Sequence, residues 1–343
     1  MKVAQVAPLH ESVPPRTYGG TERIVHYLTE ALVREGHEVT LYASGDSQTS
    51  ARLRPGVAEA LRFSTTCRDP LAVHVLQLAR VAREAADYDI IHFHTDFLHY
   101  PLWRQVSVPQ LTTLHGRLNL PDLRPLYEEF SDIQVVSISD SQREPLRDVA
   151  RWAGTVYNGI PADSYTFRRE PGSYLAFLGR ISPEKGPEAA IEIAIRTGIP
   201  LKMAAKIDAF DQDYFDTRIR PHLTHPLVEY VGEVDEHGKN EFLGGALALV
   251  FPIDWPEPFG LAMIEAMACG TPVIAYPEGA VPEVMSDGVS GFVVASVDEA
   301  VSAIGRLDQI DRAGCRAYFE QHFTAERMLH GYLELYRQLA HPA

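Results

Sequence analysis

The sequence predicts an α/β protein with two doubly wound parallel sheets, and two observations lead to this prediction. Short β-branched runs alternate with amphipathic helices along the 343 residues, which is the pattern of βαβ units. The alternation restarts at Ser173, so the chain carries two successive sets of strands. Because ligands of such sheets bind beyond the carboxyl ends of the strands, we expect a ligand-binding cleft between two domains.

The first half supplies a long amphipathic helix and a series of short strands. The helix runs from about Thr21 to Glu35, and its apolar residues recur at the spacing of one helical face. The strands are KVAQVAP, HEVTLYAS, DIIHFH, QLTTLH, QVVSIS and TVYNGI. Polar residues at the ends of these strands, His94, His115 and Asn158, are candidates for contact with a ligand.

The second half repeats the pattern, with a helix at about 187–197. Its strands are SYLAFLG, PLKMAA, VEYVGEV, ALALVFP, TPVIAY and GFVVAS. Charged residues follow several of these strands, namely Arg180, Lys185, Glu233 and Glu257. Prolines and arginines interrupt the alternation near residues 160–171, which places the domain boundary there. We therefore predict domains over residues 1–165 and 166–322.

Composition argues against several classes of partner and of site. A net charge of −15 and a pI near 5.4 disfavour nucleic acid or an anionic membrane as the main partner. The three cysteines lie far apart without a C-x-x-C spacing, so neither a disulfide framework nor a zinc site is indicated. No apolar run approaches the ~18 residues of a membrane span, and the first residues do not resemble a signal peptide. We expect a cytoplasmic protein with at most weak membrane association.

Two carboxylates stand out in the segment FPIDWPEPFGLAMIEAMACGTPVIA, residues 251–275. The pattern predicts a helix that begins at Pro258 and is stopped by Gly270, with Glu257 at its N-terminus and Glu265 two turns inside. Glu257 is compatible with a simple cap of the helix dipole, worth about 0.3–1 kcal/mol. Glu265 has only apolar helical neighbours, and a buried unpaired carboxylate is costly. It therefore needs hydrogen-bond donors, which the hydroxyls of a ligand would supply.

Two loops are candidates for a phosphate site. PPRTYGGTER places Gly19 and Gly20 before Thr21, a predicted N-cap, and a helix N-terminus attracts phosphate. The two glycines are equally compatible with a tight turn alone. GRISPEKG places Arg180 and Lys185 at a strand end, where two cations would neutralise a diphosphate without a metal. Both side chains are also compatible with solvated surface charges.

Metal-binding alternatives remain open at two places. His92 and His94 share one face of a strand with Asp96 nearby, a spacing that permits a metal but fixes no third ligand. Asp211 and Asp213 form a D-x-D pair of the kind that holds a divalent ion, although their surroundings favour an acidic surface loop. The sequence has no P-loop motif and no strict dinucleotide fingerprint. We predict neither a metal nor a cofactor.

Taken together, the motifs resemble glycosyltransferase family 4, retaining enzymes of the GT-B fold that include glycogen- and sucrose-synthase-like proteins. The resemblance covers essentially the whole chain and rests on YGGTERIVHYLTEALVREGHEVTLYAS, DIIHFHTD, TLHG, YNGI, LGRISPEKG and PEPFGLAMIEAMACGTPVIAYPEGAVPEVMSDGVSGFVV. The last segment matches the family's E-x7-E signature. The implied fold has two Rossmann-like domains facing a central cleft, with a final helix, residues 323–343, crossing back to the first domain.

The resemblance implies a role for each candidate residue. Glu257 and His115 would act on the transferred sugar, and Glu265 would bind the ribose hydroxyls. The donor diphosphate would be bound by Arg180, Lys185, Gly19, Gly20, Gly260 and Leu261. The sugar or acceptor pocket would contain Phe259, His94 and Asn158, and the base would lie near Gly232 and Val234.

The implied reaction is transfer of a sugar from a nucleotide diphosphate sugar to an acceptor hydroxyl, with retention of anomeric configuration by front-side displacement. The acceptor would be a soluble small molecule, either an oligosaccharide or a natural product of an antibiotic pathway of the orthosomycin type. A nucleotide-sugar epimerase and a non-catalytic protein that binds nucleotide sugars are alternative interpretations. The chain departs from the family pattern at Asp254, at Trp255 and at residues 204–210, where relatives often have a glycine-rich turn. These departures bear on the identity of the donor's sugar and base.

Overall fold

The computed structural model describes residues 1–340, and the chain divides into two compact units. The first unit contains residues 1–159 together with the segment that starts at Ala325. The second unit is Ile160–Thr324. The divisions therefore lie a few residues from the boundaries that the sequence suggests.

The first unit is built on a seven-stranded sheet. Its strands are β1 (Lys2–Val6), β2 (Glu38–Ser44), β3 (Arg52–Val57), β4 (Ile90–Phe93), β5 (Gln110–Thr113), β6 (Gln134–Ser137) and β7 (Arg151–Thr155). They pair in the order β3-β2-β1-β4-β5-β6-β7, and every pairing is parallel. In β1 all residues after Lys2 are buried, as expected for a parallel strand that is covered on both faces.

The second unit is built on a six-stranded parallel sheet. Its strands are β8 (Tyr174–Arg180), β9 (Leu201–Lys206), β10 (Val228–Gly232), β11 (Ala246–Phe251), β12 (Val273–Ala275) and β13 (Gly291–Val293). The spatial order is β10-β9-β8-β11-β12-β13. The two doubly wound parallel sheets confirm the predicted fold class.

Helices connect the strands in both units. In the first unit they are α1 (Gly20–Arg34), α2 (Pro70–Glu84), α3 (Tyr100–Trp103), α4 (Leu123–Glu129) and α5 (Asp140–Arg143). In the second unit they are α6 (Pro187–Thr197), α7 (Gln212–Tyr214), α8 (Glu236–Gly244), α9 (Leu261–Ala268), α10 (Val281–Val284), α11 (Val297–Ile304) and α12 (Arg312–His322). The last helix, α13 (Ala325–Ala340), belongs to the first unit.

Apolar helix faces close the core on the sheets. Leu78 and Val81 of α2 pack with Val6 of β1 and Phe93 of β4. In the second unit, Ile191 of α6 belongs to a larger cluster with residues of β8, β9 and β11. Burial of such side chains contributes roughly 1.5–3 kcal/mol each, which is the main reason that these amphipathic segments adopt helical structure.

In the first unit, one predicted strand is mostly absent from the sheet and one strand was not predicted. TVYNGI was expected to be a strand, but β7 ends at Thr155, so only the first residue of that segment belongs to the sheet. The strand β3 was not predicted because arginines and Pro55 interrupt its apolar pattern. Its position at the edge of the sheet explains both features, since an edge strand tolerates proline and charged residues.

Two helix starts also differ from the predictions. The first helix begins at Gly20 with Gly19 as N-cap, so Thr21 lies inside the first turn and is not the cap. The helix α9 begins at Leu261 and not at Pro258. Its N-cap Gly260 has a φ of 84°, a left-handed conformation that does not occur inside a right-handed helix, so α9 does not extend back to Pro258.

The helix α2 has an exposed apolar edge. Leu71, Val75 and Leu76 are 58%, 56% and 65% exposed. Arg80 on the same helix donates to the carbonyl oxygen of Pro55. Among residues 1–340, no helix combines the length and the apolar character needed to cross a membrane.

Candidate functional site

The strand order of the second sheet contains a switch point, where the direction of the order reverses. The order reverses between β8 and β11, so the loop after β8 and the loop after β11 diverge from neighbouring strand ends. Such a switch point is the usual ligand crevice of an open α/β sheet. The first of these loops carries Lys185, the second carries Glu257, and the main-chain N–H of Asp254 donates to the carbonyl of Glu184 at 2.8 Å. The predicted diphosphate and sugar residues therefore lie side by side.

Glu257 accepts two hydrogen bonds at the switch point. Its Oε2 is bonded to the ammonium group of Lys185 and to the indole N–H of Trp255, the latter at 3.0 Å. The ammonium of Lys185 also lies over the Trp255 ring, 4.7 Å from the ring centroid. Both charged side chains are mostly buried. The interpretation of Glu257 as a helix cap was wrong, because the side chain is paired with a cation and the helix begins four residues later.

Gly279 fixes the main chain of Glu257. The carbonyl of Glu257 accepts from the N–H of Ala280 at 2.9 Å, so it is bonded to this loop and not to a helical N–H. A Cβ on Gly279 would lie 2.2 Å from the nitrogen and 2.4 Å from the oxygen of Glu257, and Gly279 has a φ of 59°. Only glycine permits this close approach.

Arg180 ends β8 among three carboxylates. It forms an ion pair with Glu184, and its guanidinium lies 3.7 Å from a carboxylate oxygen of Asp208 and 3.7 Å from one of Asp211. The segment around Asp211 and Asp213 lies at the surface, as the sequence predicts, but the side chain of Asp211 itself is only 15% exposed and faces Arg180. A diphosphate that approached Arg180 would compete with these carboxylates.

Glu265 is buried as the sequence predicts, with 2% exposure. Its Oε1 accepts a hydrogen bond from the ammonium of Lys239 at 2.6 Å. Sequence reasoning missed Lys239, which lies on α8 well before the carboxylate in the chain. The amphipathic pattern of that short helix gave no indication that the lysine points inward.

The start of α9 contains three further candidates of the second unit. Among residues 1–340, no side chain caps α9, so the N–H groups near Gly260 and Leu261 project from its N-terminus. The side chain of Phe259 is buried and packs edge-on against Phe323, with 6.0 Å between ring centroids. The ring of Phe259 is therefore part of the packed interior of the second unit.

The proposed base region lies at the end of β10. Gly232 ends this strand with a φ of 81°, and no atom of the described part of the chain lies within 4 Å of the position that its Cβ would occupy. Val234, two residues later, is half-buried. The next residue, Asp235, caps α8 by accepting from the N–H of Gly238 at 2.7 Å. The two candidates thus flank an open turn between a strand and a capped helix.

In the first unit, the side chain of His115 enters a network of buried polar groups. Its Nε2 lies 2.8 Å from Nδ1 of His94, and Nε2 of His94 lies 2.8 Å from Oε1 of Gln5. The amide nitrogen of Gln5 donates to the hydroxyl of Tyr336 at 2.9 Å. His94 is 2% exposed with both ring nitrogens bonded inside the protein, so it contacts His115 and presents no atom to a pocket.

The network continues from the last helix back into the sheet. The hydroxyl of Tyr336 lies 2.7 Å from Nδ1 of His92, and Nε2 of His92 lies 2.7 Å from the hydroxyl of Thr113. That hydroxyl in turn lies 2.8 Å from the hydroxyl of Tyr332. We call these seven residues the histidine chain: Gln5, His92, His94, Thr113, His115, Tyr332 and Tyr336.

Burial keeps the imidazoles of the histidine chain uncharged. Loss of hydration holds the pKa of His92 and of His94 well below the usual value, and the neighbouring imidazoles act in the same direction. Burial lowers the pKa of His115 to about 4. Each of the three rings is therefore neutral at physiological pH.

Two family models match the chain. The model described as Glycosyltransferase Family 4 matches residues 18–164, and the model described as Glycosyl transferases group 1 matches residues 166–310. The chain belongs to the GT-B glycosyltransferases. The first match covers most of the first unit and extends five residues beyond Gly159, and the second match lies within the second unit, so each unit corresponds largely to one of the two models.

The glycosyltransferase is similar to known proteins over most of its length. It is 26% identical to a glycogen synthase of Mycobacterium tuberculosis over 339 residues, which cover 84% of this chain and 81% of that protein. Its fold matches that of AviGT4, a glycosyltransferase involved in avilamycin A biosynthesis, with a TM-score of 0.76, 24% identity and coverage of 100% and 98%. HepE from Anabaena, solved in complex with UDP and glucose, matches with a TM-score of 0.77, 18% identity and coverage of 97% and 98%.

The remaining predicted residues of the glycosyltransferase lie in the first unit. Gly19 is the N-cap of α1 and Gly20 its first residue, and no side chain of the described residues is bonded at the cap. Glu22 follows in the first turn, and burial raises its pKa to about 7. The side chain of Asn158 is 3% exposed, and its Oδ1 has no hydrogen-bond partner among residues 1–340. A buried acceptor of this kind needs a donor, which a ligand would supply.

Two hydroxyls that the sequence analysis did not consider share this property. Within the described residues, the buried hydroxyls of Thr95, after β4, and of Ser182, after β8, make no hydrogen bond. Both lie at strand ends, where sequence reasoning placed the site, but serine and threonine are too common in loops to be singled out.

The two metal-site alternatives of the glycosyltransferase involve the histidines of β4 and the pair Asp211 and Asp213. His92 and His94 use both ring nitrogens in hydrogen bonds of the histidine chain. Over residues 1–340, no group of three or more histidine, cysteine, aspartate or glutamate side chains has a geometry suited to a metal ion. Asp96, which follows these two histidines in the sequence, has a φ of 48°, an uncommon conformation for a residue other than glycine.

Proposed function

We propose that this glycosyltransferase moves a sugar from a nucleotide diphosphate sugar to a hydroxyl of a soluble small-molecule acceptor, with retention of configuration and without a metal. The main support is the contact between Lys185 and Glu257 at the switch point. It joins a cation suited to a diphosphate with a carboxylate suited to sugar hydroxyls. In support, the similar protein HepE was solved with UDP and glucose together.

Donor binding would exchange the partners of these groups. The diphosphate would attract Lys185 and Arg180 away from their carboxylates, because the diphosphate of a nucleotide sugar carries two negative charges and each carboxylate carries one. Glu257 would then accept hydrogen bonds from the sugar while the indole N–H of Trp255 keeps the carboxylate oriented. Glu265 would accept from the ribose hydroxyls, and Lys239 keeps that carboxylate in place.

The transfer step would be a front-side displacement. The bond between the anomeric carbon and the diphosphate oxygen breaks, and the acceptor oxygen bonds to the same carbon on the same face. The acceptor proton passes to the departing diphosphate oxygen. The two cations stabilise the charge that develops on the diphosphate, the kind of preorganised electrostatic stabilisation that lowers such barriers most.

The acceptor that we propose is an oligosaccharide or a natural product of the orthosomycin antibiotic type. The exposed edge of α2 is apolar, but this helix offers few cations to an anionic membrane, because its only basic residues are Arg80 and Arg83 and it also carries Glu84. Binding to liposomes that contain anionic lipid should therefore be weak. Strong binding that high salt removes would point to a lipid acceptor.

The first test is a thermal-shift comparison of UDP, GDP, ADP and dTDP in EDTA. A nucleotide at 100 times its dissociation constant adds about 2.7 kcal/mol of stability. One nucleotide should stabilise the wild-type protein without metal and lose its effect in Lys185→Ala. Arg168→Ala serves as the matched control, because Arg168 forms an ion pair with Glu241 away from the switch point. A shift that requires a divalent ion would contradict the proposal.

The second test identifies the product. The donor of the base that binds should be incubated with a panel of soluble acceptors, and the new glycosidic bond analysed by NMR. Retention predicts that the anomeric configuration of the product equals that of the donor. An inverted product, or an epimerised nucleotide sugar without transfer, would overturn the proposed reaction.

A further inference from the structure

The side-chain amide of Gln5 determines which groups of the histidine chain donate hydrogen bonds and which accept them. The amide oxygen of Gln5 only accepts and its nitrogen only donates. Because Oε1 faces His94, Nε2 of His94 must carry the hydrogen. A neutral imidazole has one donor and one acceptor, so Nδ1 of His94 accepts. Nε2 of His115 must then be the donor in its contact with His94.

The other side of Gln5 follows the same rule. Its Nε2 donates to the oxygen of Tyr336, so the phenol hydrogen is available to Nδ1 of His92. Nε2 of His92 therefore donates to Thr113. Each of the three histidines consequently carries its hydrogen on Nε2 and has a lone pair on Nδ1.

We propose that Gln5 and His94 are positioning residues that hold His115 in the Nε2–H tautomer, so that its Nδ1 is a hydrogen-bond acceptor for a hydroxyl of the transferred sugar. The part that concerns the sugar rests on the proposed function. The tautomer itself depends only on the hydrogen bonds of the first unit. An acceptor at this position favours a donor sugar that presents a hydroxyl over one that presents a carboxylate there.

The surroundings make this arrangement costly to break. Gln5, His92, Thr113 and Tyr336 are each 0% exposed, so a group that loses its partner in this core finds no water to replace it. Leaving a buried donor or acceptor unsatisfied is more costly than the net gain from a typical hydrogen bond. The tautomer of His115 is therefore coupled through three successive hydrogen bonds, by way of His94 and Gln5, to the side chain of Tyr336 on α13.

The experiment is a long-range ¹H–¹⁵N correlation spectrum of the full chain labelled on its histidines, recorded near pH 7. Signals are assigned with His92→Asn, His94→Asn and His115→Asn. We expect all three rings to show a protonated Nε2 and an unprotonated Nδ1. The reverse pattern at all three would mean that the Gln5 amide is turned by 180°, which would overturn the proposal.

Substitution of Tyr336 tests the coupling. In Tyr336→Phe the amide nitrogen of Gln5 loses its acceptor, so the amide loses its preferred orientation and His115 should show both tautomers. Tyr42→Phe is the matched control, because it removes another buried phenol hydroxyl of the first unit that is bonded to Glu84 and Tyr88. A pure Nε2–H tautomer at His115 in Tyr336→Phe would contradict the proposal. Gln5→Leu provides a second route to the same change if Tyr336→Phe fails to fold.

Kinetics separate the tautomer from its use in catalysis. If His115 accepts from the sugar, Tyr336→Phe should lower kcat about fivefold, the size expected for one weakened hydrogen bond, while Tyr42→Phe should not. The expected tautomers together with unchanged transfer in Tyr336→Phe would support the relay and overturn the role of His115 at the sugar. Altered kinetics with unaltered tautomers would overturn the relay and leave the proposed function standing.

Discussion

Lys239 holds the carboxylate of Glu265 by a 2.6 Å hydrogen bond in a site where the carboxylate is 2% and the lysine side chain 13% exposed. A buried pair of this kind contributes little net stability compared with a pair of apolar side chains. Removing one partner alone is costly, however, because an uncompensated charge remains in a poorly hydrated site. The pair therefore sets the electrostatics of the predicted ribose site.

Lys239→Met should lower the free energy of unfolding by about 3 kcal/mol, because it leaves Glu265 without its cation. Urea denaturation monitored by circular dichroism gives this quantity. Lys202→Met is the matched control, since Lys202 pairs with Glu229 at 3.4 Å in a more exposed setting, and it should lose less than about 1 kcal/mol. Equal losses of unfolding free energy in the two variants would show that burial does not make the loss of Lys239 more costly than the loss of an exposed partner.

Trp255→Phe should impair turnover more than donor binding. The substitution keeps an aromatic ring beside Lys185 but removes the N–H that donates to Glu257. We expect kcat to fall about tenfold, while the donor KM changes less than about twofold. Steady-state kinetics test this. Trp152→Phe is the control, because Trp152 belongs to the first unit and its N–H donates to the carbonyl of Leu146 in the same unit. A change confined to KM would count against an orienting role for the indole.

Gly279→Ala should abolish most activity, because the new methyl group would occupy the space of the Glu257 main chain. Gly288→Ala is a close control: Gly288 also has a positive φ, of 76°, but within residues 1–340 nothing lies within 4 Å of its Cβ position. Gly288→Ala should lose about 1–2 kcal/mol from backbone strain and keep its activity. The comparison of melting temperature and transfer rate isolates the displacement of Glu257. An active Gly279→Ala enzyme would refute it.

Asp211→Asn should tighten binding of the nucleoside diphosphate, because it removes one of the carboxylates that compete for Arg180. The expected gain is about two- to fivefold, in line with a partly exposed ion pair. Isothermal titration calorimetry measures it directly. Asp213→Asn is the control, since no ion pair of Asp213 occurs among residues 1–340. Weaker binding by Asp211→Asn would mean that this carboxylate helps the ligand.

Glu22→Gln should change the pH dependence of stability. Burial raises the pKa of Glu22 to about 7 in the folded protein, so the folded state keeps a proton that the unfolded state loses above its usual pKa of 4.5. The wild-type protein therefore loses stability as pH rises from 4.5 to 7. The glutamine variant lacks this loss and should be more stable by about 3 kcal/mol at pH 8, with no advantage near pH 4.

The test is denaturation at a series of pH values, with Glu35→Gln as control, because Glu35 is exposed just after the same helix. Parallel profiles for the wild type and Glu22→Gln would show that the carboxyl titrates normally.

The alternation of strands and helices sufficed to predict both sheets and the strand ends at which Arg180, Lys185 and Glu257 lie. Burial of Glu265 followed from its apolar helical neighbours. These features are local or periodic, so a single sequence contains them. The edge strand β3 escaped prediction because an edge does not require an apolar pattern.

Contacts between distant segments were not predictable in the same way. Lys239 lies on a short helix whose orientation is set by packing, and Trp255 was noticed only as a departure from the family pattern. Gln5 looked like an ordinary polar residue within a strand, although the direction of the histidine chain depends on its amide. Such roles arise when the fold brings together residues such as Gln5 and Tyr336, which are 331 positions apart.

The place of α13 in the first unit has a consequence for biosynthesis. The ribosome makes β1, β4 and β5 early, but Tyr332 and Tyr336 emerge only after the whole of Ile160–Thr324 has been synthesised. The N–H of Ile160 bonds to the carbonyl of Phe323 at 3.0 Å, so the nascent chain enters and leaves the second unit at adjacent points. Until the last helix docks, Gln5, His92 and Thr113 lack their phenol partners. The buried hydrogen bonds of these three residues to the phenols therefore form only after the whole second unit has been synthesised.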